Sequence, residues 1–273
     1  MSRSVGLFGC GTIGTEIARS VAEGRVDVEI RCVYDRNPEK RTRVLELFDD
    51  NQPIAVESPE ELLDADMVIE AAGADAVETI AADALSSGCD CMILSAGAFA
   101  DSALQARVFD AADAGSSTLF VPSGAIAGLD AVKAAAFTGE LESVALTTTK
   151  PPTGLEGAPY LESERIDLEA IDEPTVVFEG SANEAAVGFP SNINVAMALS
   201  LAGIGSAKTT VRIVADPDEE NNVHRITADG EMGSIETTVR NVPSPTNPKT
   251  SYLAAVSAIE KLRSLETAVS VGT

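Results

Sequence analysis

Three observations predict an α/β chain: a doubly wound parallel sheet, followed by a second α+β substrate domain carrying a mostly antiparallel sheet. Short apolar strands alternate with helix patterns from Val5 to Val121. A glycine-rich turn, Gly9 to Gly14, joins the first strand to the first helix. After Val121 that rhythm stops, and three later strand patterns are separated by turn-rich linkers. The 273 residues, 45% hydrophobic, suffice for one large domain or two modest ones, each with its own core.

The first strand is Val5-Gly6-Leu7-Phe8, and the helix after the turn places Ile13, Ile17 and Val21 on one face. Between them Gly9, Gly11 and Gly14 match GxGxxG. Gly9 permits the tight turn, Gly11 lets the backbone approach a pyrophosphate, and Gly14 lets the helix pack on the strand. The phosphates would rest on the helix N-terminus at Thr12 and Ile13, where free N–H groups and the helix dipole favour anions. The motif therefore points to a Rossmann fold binding a dinucleotide. A second strand, Glu29 to Tyr34, ends at Asp35, about 20 residues past the motif, where an acid accepts from ribose hydroxyls and favours NAD. Arg36 follows and suits a 2′-phosphate, so NADP stays open.

Further units repeat the pattern. Pro59 to Leu63 opens a short helix, and Met67 to Gly73 is a strand with its exit loop. A helix from about 75 to 86 leads to the strand Cys91 to Ser95, and another from about 101 to 114 leads to Thr118-Leu119-Phe120-Val121. Ligands of such sheets lie beyond the C-terminal strand ends, which puts Ala71-Ala72-Gly73, Ser95 to Ala98 and Pro122 to Ala125 on the cofactor rim. Ala72 and Ala125 are small enough there to admit a nicotinamide, or are ordinary turn residues.

Beyond this point Leu129 to Phe137 reads as a helix. Val144 to Lys150 reads as a strand stopped by Pro151-Pro152, and an acidic, Gly-rich stretch follows. Gly188-Phe189-Pro190-Ser191-Asn192-Ile193-Asn194 opens an Ala-rich helix ended by Gly203 and Gly205. Thr209 to Ala215, Asn222 to Thr227 and Ser234 to Arg240 read as an antiparallel meander. His224, the one histidine of the chain, shares a strand face with Ile226. Its ordinary pKa suits proton transfer, although a lone histidine also serves as a core or surface residue. A last helix is expected to open near Asn247 to Leu253, with Lys249 and Thr250 at its start. Lys249, or Lys150, would attract a substrate carboxylate there, or be a plain surface lysine.

Asp and Glu number 43 against 19 Lys and Arg, a net charge of −24 spread along the chain. Such a surface repels nucleic acid and anionic membranes. Its self-repulsion is relieved by counter-ions, which suggests a halophilic, haloarchaeal protein of a salty cytoplasm. No apolar run reaches the roughly 18 to 20 residues of a membrane span. The start runs straight into a strand pattern, so a cytoplasmic location is expected. Cys10, Cys32, Cys89 and Cys91 form no CxxC pair and no zinc set, so no metal site is expected and they read as packing residues.

The ordered motifs GCGTIG, SGAIAGLDAV (123–132), TTKPP (148–152), FPSNINVAMALSLAG (189–203), NVHRI (222–226) and NPKTSYLAA (247–255) resemble the L-aspartate dehydrogenase family along nearly the whole chain. The acidic stretch near 153–185 is the part that matches least. The resemblance implies oxidation of L-aspartate by NAD or NADP to iminoaspartate, which hydrolyses to oxaloacetate and ammonia or passes to quinolinate synthase in pyridine nucleotide biosynthesis. It implies a catalytic His224, cofactor contacts at Asn194 and Ala125 (with Ala127 in the same loop), and a homodimer. It also implies a C-terminal helix that returns to the first domain. The expected division is therefore 1–122 plus 245–273 for the dinucleotide domain and 123–244 for the substrate, catalytic and dimerisation domain. Asn192, Lys249 and Thr250 are the expected partners of the substrate carboxylates. A homoserine dehydrogenase or a dihydrodipicolinate-reductase-like oxidoreductase would share the architecture without NVHRI. A non-catalytic NADH-binding redox sensor would bind the cofactor without turnover, but the chain carries no basic patch for nucleic acid.

Overall fold

The computed structural model describes residues 2–190, 193–244, 247–269, 271 and 272, with 243, 244 and 247–250 described by their backbone alone. The chain divides into two compact units, Met1–Pro122 with Ala255–Val271, and Ser123–Ala254 with Gly272–Thr273.

The first unit is built on β1 (Arg3–Phe8), α1 (Thr12–Ala22), β2 (Val28–Tyr34), α2 (Pro38–Leu45), β3 (Ile54–Ala55), β4 (Met67–Glu70), α3 (Ala74–Ser86), β5 (Asp90–Ile93), α4 (Ser102–Gly115) and β6 (Leu119–Phe120). The strands lie in the order β3-β2-β1-β4-β5-β6, and every pairing is parallel. The order reverses between β1 and β4, which opens the ligand crevice of a doubly wound sheet at their carboxyl ends. All four residues of β4 are buried, as the middle of a two-sided parallel sheet demands. Asn37 caps α2 through its side chain, which accepts from Glu39 N at 2.9 Å. Val5, Leu7, Ile17, Ile30, Val33, Met67, Ile69 and Met92 form one core, and Ala258 and Leu262 of the last helix complete it.

The second unit contains α5 (Leu129–Thr138), β7 (Leu141–Lys150), α6 (Pro159–Glu164), β8 (Thr175–Ser181), α7 (Ala182–Gly188), α8 (Asn194–Ala202), β9 (Thr210–Ala215), β10 (Asn222–Gly230) and β11 (Gly233–Asn241). The short pair β12 (Pro243–Ser244) and β13 (Asn247–Ser251) follows, leading into α9 (Tyr252–Leu265). The larger sheet runs β11-β10-β7-β9-β8. The expected meander is thus corrected. β10 and β11 form the hairpin, but β7 lies between β10 and β9, antiparallel to one and parallel to the other. Its length lets β7 pair along both edges and take the centre.

The acidic stretch is structured as well. Val177 and Phe178 of β8 are buried, and Tyr160 of α6 meets Phe178 and Phe189 at ring separations of 5.1 and 5.7 Å. Apolar anchors hold the segment while its carboxylates face water.

The return to the first unit falls at Ala255, not at 245. β12 pairs with β13, and Tyr252 N donates to Val242 O at 3.1 Å, so this segment stays with the second unit. Lys249 and Thr250 accordingly lie in β13, before α9 rather than at its first turn.

Among the described residues no helix is long and apolar enough to cross a membrane, and no group of His, Cys, Asp and Glu is placed to hold a metal ion. All four cysteines are free and buried, and burial pushes their thiols up, Cys10 to about 12.

Candidate functional site

The glycine turn of the first unit is constrained by its neighbours. Gly9 has φ +108°, and a methyl there would lie 2.6 Å from the Ala71 carbonyl carbon. A methyl at Gly14 would run into the Gly9 carbonyl oxygen. Gly11 differs, with nothing within 4 Å of the place a methyl would take. Gly11 is also the N-cap of α1, which has no side-chain cap and no acid in its first turn, so the Thr12 and Ile13 N–H groups are offered outward.

Asp35 ends β2 with a carboxylate already aimed. Oδ2 accepts from Cys10 N at 2.9 Å, and Oδ1 accepts from Asn37 N at 2.8 Å. Each oxygen keeps a second lone pair for a ribose hydroxyl. Arg36 is exposed beside it. An open backbone loop, an uncapped helix start and a fixed carboxylate fit a nicotinamide dinucleotide.

Sequence reasoning missed Glu70, whose signal was a lone charge in the apolar strand Met67-Val68-Ile69. It is fully buried at the carboxyl end of β4. Oε1 accepts from Ala72 N and Gly73 N, each at 2.7 Å, and from Ser95 Oγ at 2.9 Å, while Oε2 accepts from Ser95 N at 3.0 Å. Burial raises its carboxyl above the usual range, against these four donors, which draw it down. Glu70 thereby ties the exit loop of β4 to that of β5. The Ala72 N–H is spent on this bond and is not offered to a cofactor.

In the second unit His224 sits on β10 opposite Thr148 of β7. The imidazole is buried, and Nδ1 lies 3.0 Å from Thr148 Oγ1. With Nδ1–H donating to the hydroxyl, Nε2 carries the lone pair. Burial, and then the Lys150 ammonium, pull the ring down to about 4, so it is neutral at pH 7.

The loop after Pro122 is pinned by β11. Asn241 Nδ2 donates to Ala125 O at 3.0 Å and to Asn222 O at 3.3 Å, and Thr237 Oγ1 donates to Ala127 O at 3.0 Å. Asn241 Oδ1 is buried without a partner among the described residues. Thr237 and Asn241 alternate onto the face of Val239, which is paired with His224, so the loop lies on the His224 side of the sheet. Val195 of α8 lies beside this loop, its Cγ1 3.9 Å from where a methyl on Gly124 would sit. Asn194 is exposed at the start of that helix. The structure thus gathers Ala125, Asn194 and His224 within one unit. Asn192 lies outside the described residues, and for Lys249 and Thr250 only the backbone is described.

Fold and sites together define a nicotinamide-nucleotide-linked dehydrogenase. The sequence pattern described as "Homoserine dehydrogenase, NAD binding domain" matches residues 9–122, and that described as "Aspartate dehydrogenase, C-terminal" matches residues 130–265. The L-aspartate dehydrogenase of Methanococcoides burtonii is 45% identical, covering 98% of this chain and 99% of its own. That of Nitrosopumilus maritimus is 42% identical over 96% of each chain. The crystal structure of aspartate dehydrogenase from Thermotoga maritima superposes over 100% of both chains with a TM-score of 0.80 at 30% identity. This chain belongs to the L-aspartate dehydrogenase family.

Proposed function

We propose that this chain oxidises L-aspartate to iminoaspartate with NAD or NADP. Membership of the family at 45% identity along the whole length is the observation that carries the reading. The bound nicotinamide supplies the acceptor for the hydride that leaves the substrate α-carbon. His224 takes the α-ammonium proton on Nε2, which allows the C=N bond to form as hydride departs. The same imidazole then assists water onto the imine, releasing ammonia and oxaloacetate. Thr148 orients the ring. Gly9, Gly11, Thr12, Ile13 and Gly14 hold the pyrophosphate, and Asp35 and Arg36 address the adenosine ribose. Ala72, Ala125 and Asn194 contribute further cofactor contacts, while Asn192, Lys249 and Thr250 are the proposed substrate contacts.

The second unit acts as the substrate and dimerisation domain of a homodimer, and the first unit, with the return from Ala255, acts as the dinucleotide domain. The net charge of −24 supports a halophilic enzyme of a salty cytoplasm. Iminoaspartate, a reactive imine, suits direct consumption by a quinolinate synthase in pyridine nucleotide biosynthesis.

The test is NAD(P)H formation at 340 nm in molar KCl with L-aspartate, L-homoserine or L-malate. Reduction with aspartate alone is expected. Reduction with homoserine alone would move the enzyme to a sister activity. NADH binding without turnover on any of the three would leave a redox sensor.

A further inference from the structure

We propose that Lys150 is a further carboxylate-binding residue of the second unit, its ammonium receiving a substrate carboxylate beside His224. This rests on the L-aspartate reading above and adds to it a residue and the charge it answers.

The placement follows from the sheet. His224 pairs with Thr148, and Lys150 stands two residues further along β7, so all three side chains belong to one face. All three are withdrawn from water: Lys150 is 6% exposed, His224 5% and Thr148 3%. Lysine is almost never so deeply buried unless its charge is paired. The chain behind it is shaped to keep it there. Pro151-Pro152 ends the strand, and the following turn brings Gly154 against the lysine stem. A methyl on Gly154 would stand 3.6 Å from Lys150 Cβ and Cδ.

Among the described residues, the surroundings of His224 carry little other charge. Val239 faces it from β11, while Ile213 and Ala215 of β9 flank Thr148 and Lys150. Arg225 alternates to the other face and pairs with Glu236 at 2.7 Å. Arg240 pairs with Glu219. Asp216 gives its N–H to Lys150 O and turns Oδ1 to the Asp218 N–H. The loop 123–128 brings no titratable side chain. Lys150 is the one charged group that acts on the imidazole among the described residues.

L-Aspartate brings one ammonium and two carboxylates. A neutral imidazole beside a buried cation sorts these groups: the ammonium proton goes to His224, and a carboxylate goes to Lys150. The cation also repels protonation of the ring before substrate arrives. Once a carboxylate neutralises the cation, that repulsion falls as the base is needed.

The experiment uses the full-length enzyme with NAD bound and succinate as a dicarboxylate probe. Because the chain has a single histidine, one ring resonance reports its titration by NMR without turnover. Succinate should raise the ring pKa in the native protein. Lys150→Met should itself raise it and abolish the succinate response. In steady-state assays Lys150→Met should raise the KM for aspartate roughly tenfold to a hundredfold, with kcat changed far less and NADH affinity unchanged. Lys150→Arg should recover most of that KM. A native ring that succinate leaves unmoved overturns the proposal, even if aspartate is turned over and even if Lys150→Met fails to fold. So does a KM within twofold of native in the Met variant. A native enzyme inactive on aspartate but showing the succinate response keeps the carboxylate site and removes only the aspartate reading.

Discussion

In the first unit the candidate cofactor site is mostly main chain: Gly9 and Gly14 squeezed against neighbouring carbonyls, the open N–H groups at the start of α1, and loops tied by Glu70. In the second unit the candidate site is side chain, with His224, Thr148 and Lys150 withdrawn from water on one sheet face. The first buries an acid and satisfies it with four hydrogen bonds. The second buries two basic groups together, and the ring responds by giving up its proton. A cofactor's phosphates are met by backbone dipoles, which do not titrate. Proton movement needs a group whose affinity for protons the surroundings can set.

The contrast can be broken at four places. The largest effect is expected for His224→Ala, which should lower kcat with aspartate by roughly 10²–10⁴ while NADH fluorescence titrations stay unchanged. A loss of NADH binding in that variant would erase the division of labour.

Next is acid sensitivity. The folded His224 ring sits at about 4, against an ordinary 6.5. The unfolded chain therefore binds the extra proton between those values. The stability contribution is intact above pH 6.5 and is lost as pH falls toward 4, on the order of 3 kcal/mol in all. Urea melts of native protein and His224→Asn at pH 7 and 4.5 should show the flatter profile in the variant.

Glu70→Gln comes third. It turns an NH₂ toward N–H donors that now meet oxygens, so roughly 1–3 kcal/mol of stability should go, read as a drop in Tm with the His224 titration unmoved. The smallest effect belongs to Gly11→Ala. Its methyl enters open space, so Tm should hold, while NADH Kd weakens about tenfold, or ~1.4 kcal/mol. Gly9→Ala, which meets Ala71, should instead fail at folding.

What the sequence showed and concealed divides along the same line. The β1–turn–α1 unit was legible because strand period, glycine spacing and helix period are local. The end of β2 at Asp35 was legible for the same reason. The place of β7 between β9 and β10 was not, since it depends on pairing across long separations. Lys150 stood in the sequence only as an alternative to Lys249 or as a plain surface lysine, because its burial is created by that pairing and by the turn behind it. Glu70 was passed over inside an apolar strand pattern, its four donors arriving from two loops that come together only in the folded sheet. The helix expected at Lys249 was instead the strand β13, because pairing with β12 overrode a local helix pattern.

The completion of the first core by Ala258 and Leu262 has a consequence for synthesis. As the chain leaves the ribosome, the glycine loop and its sheet emerge first but lack part of their packing until residue 262 is out. Cofactor capture is therefore expected to wait until synthesis has passed residue 262. A truncated nascent product is expected to remain a poor dinucleotide binder and a ready protease substrate.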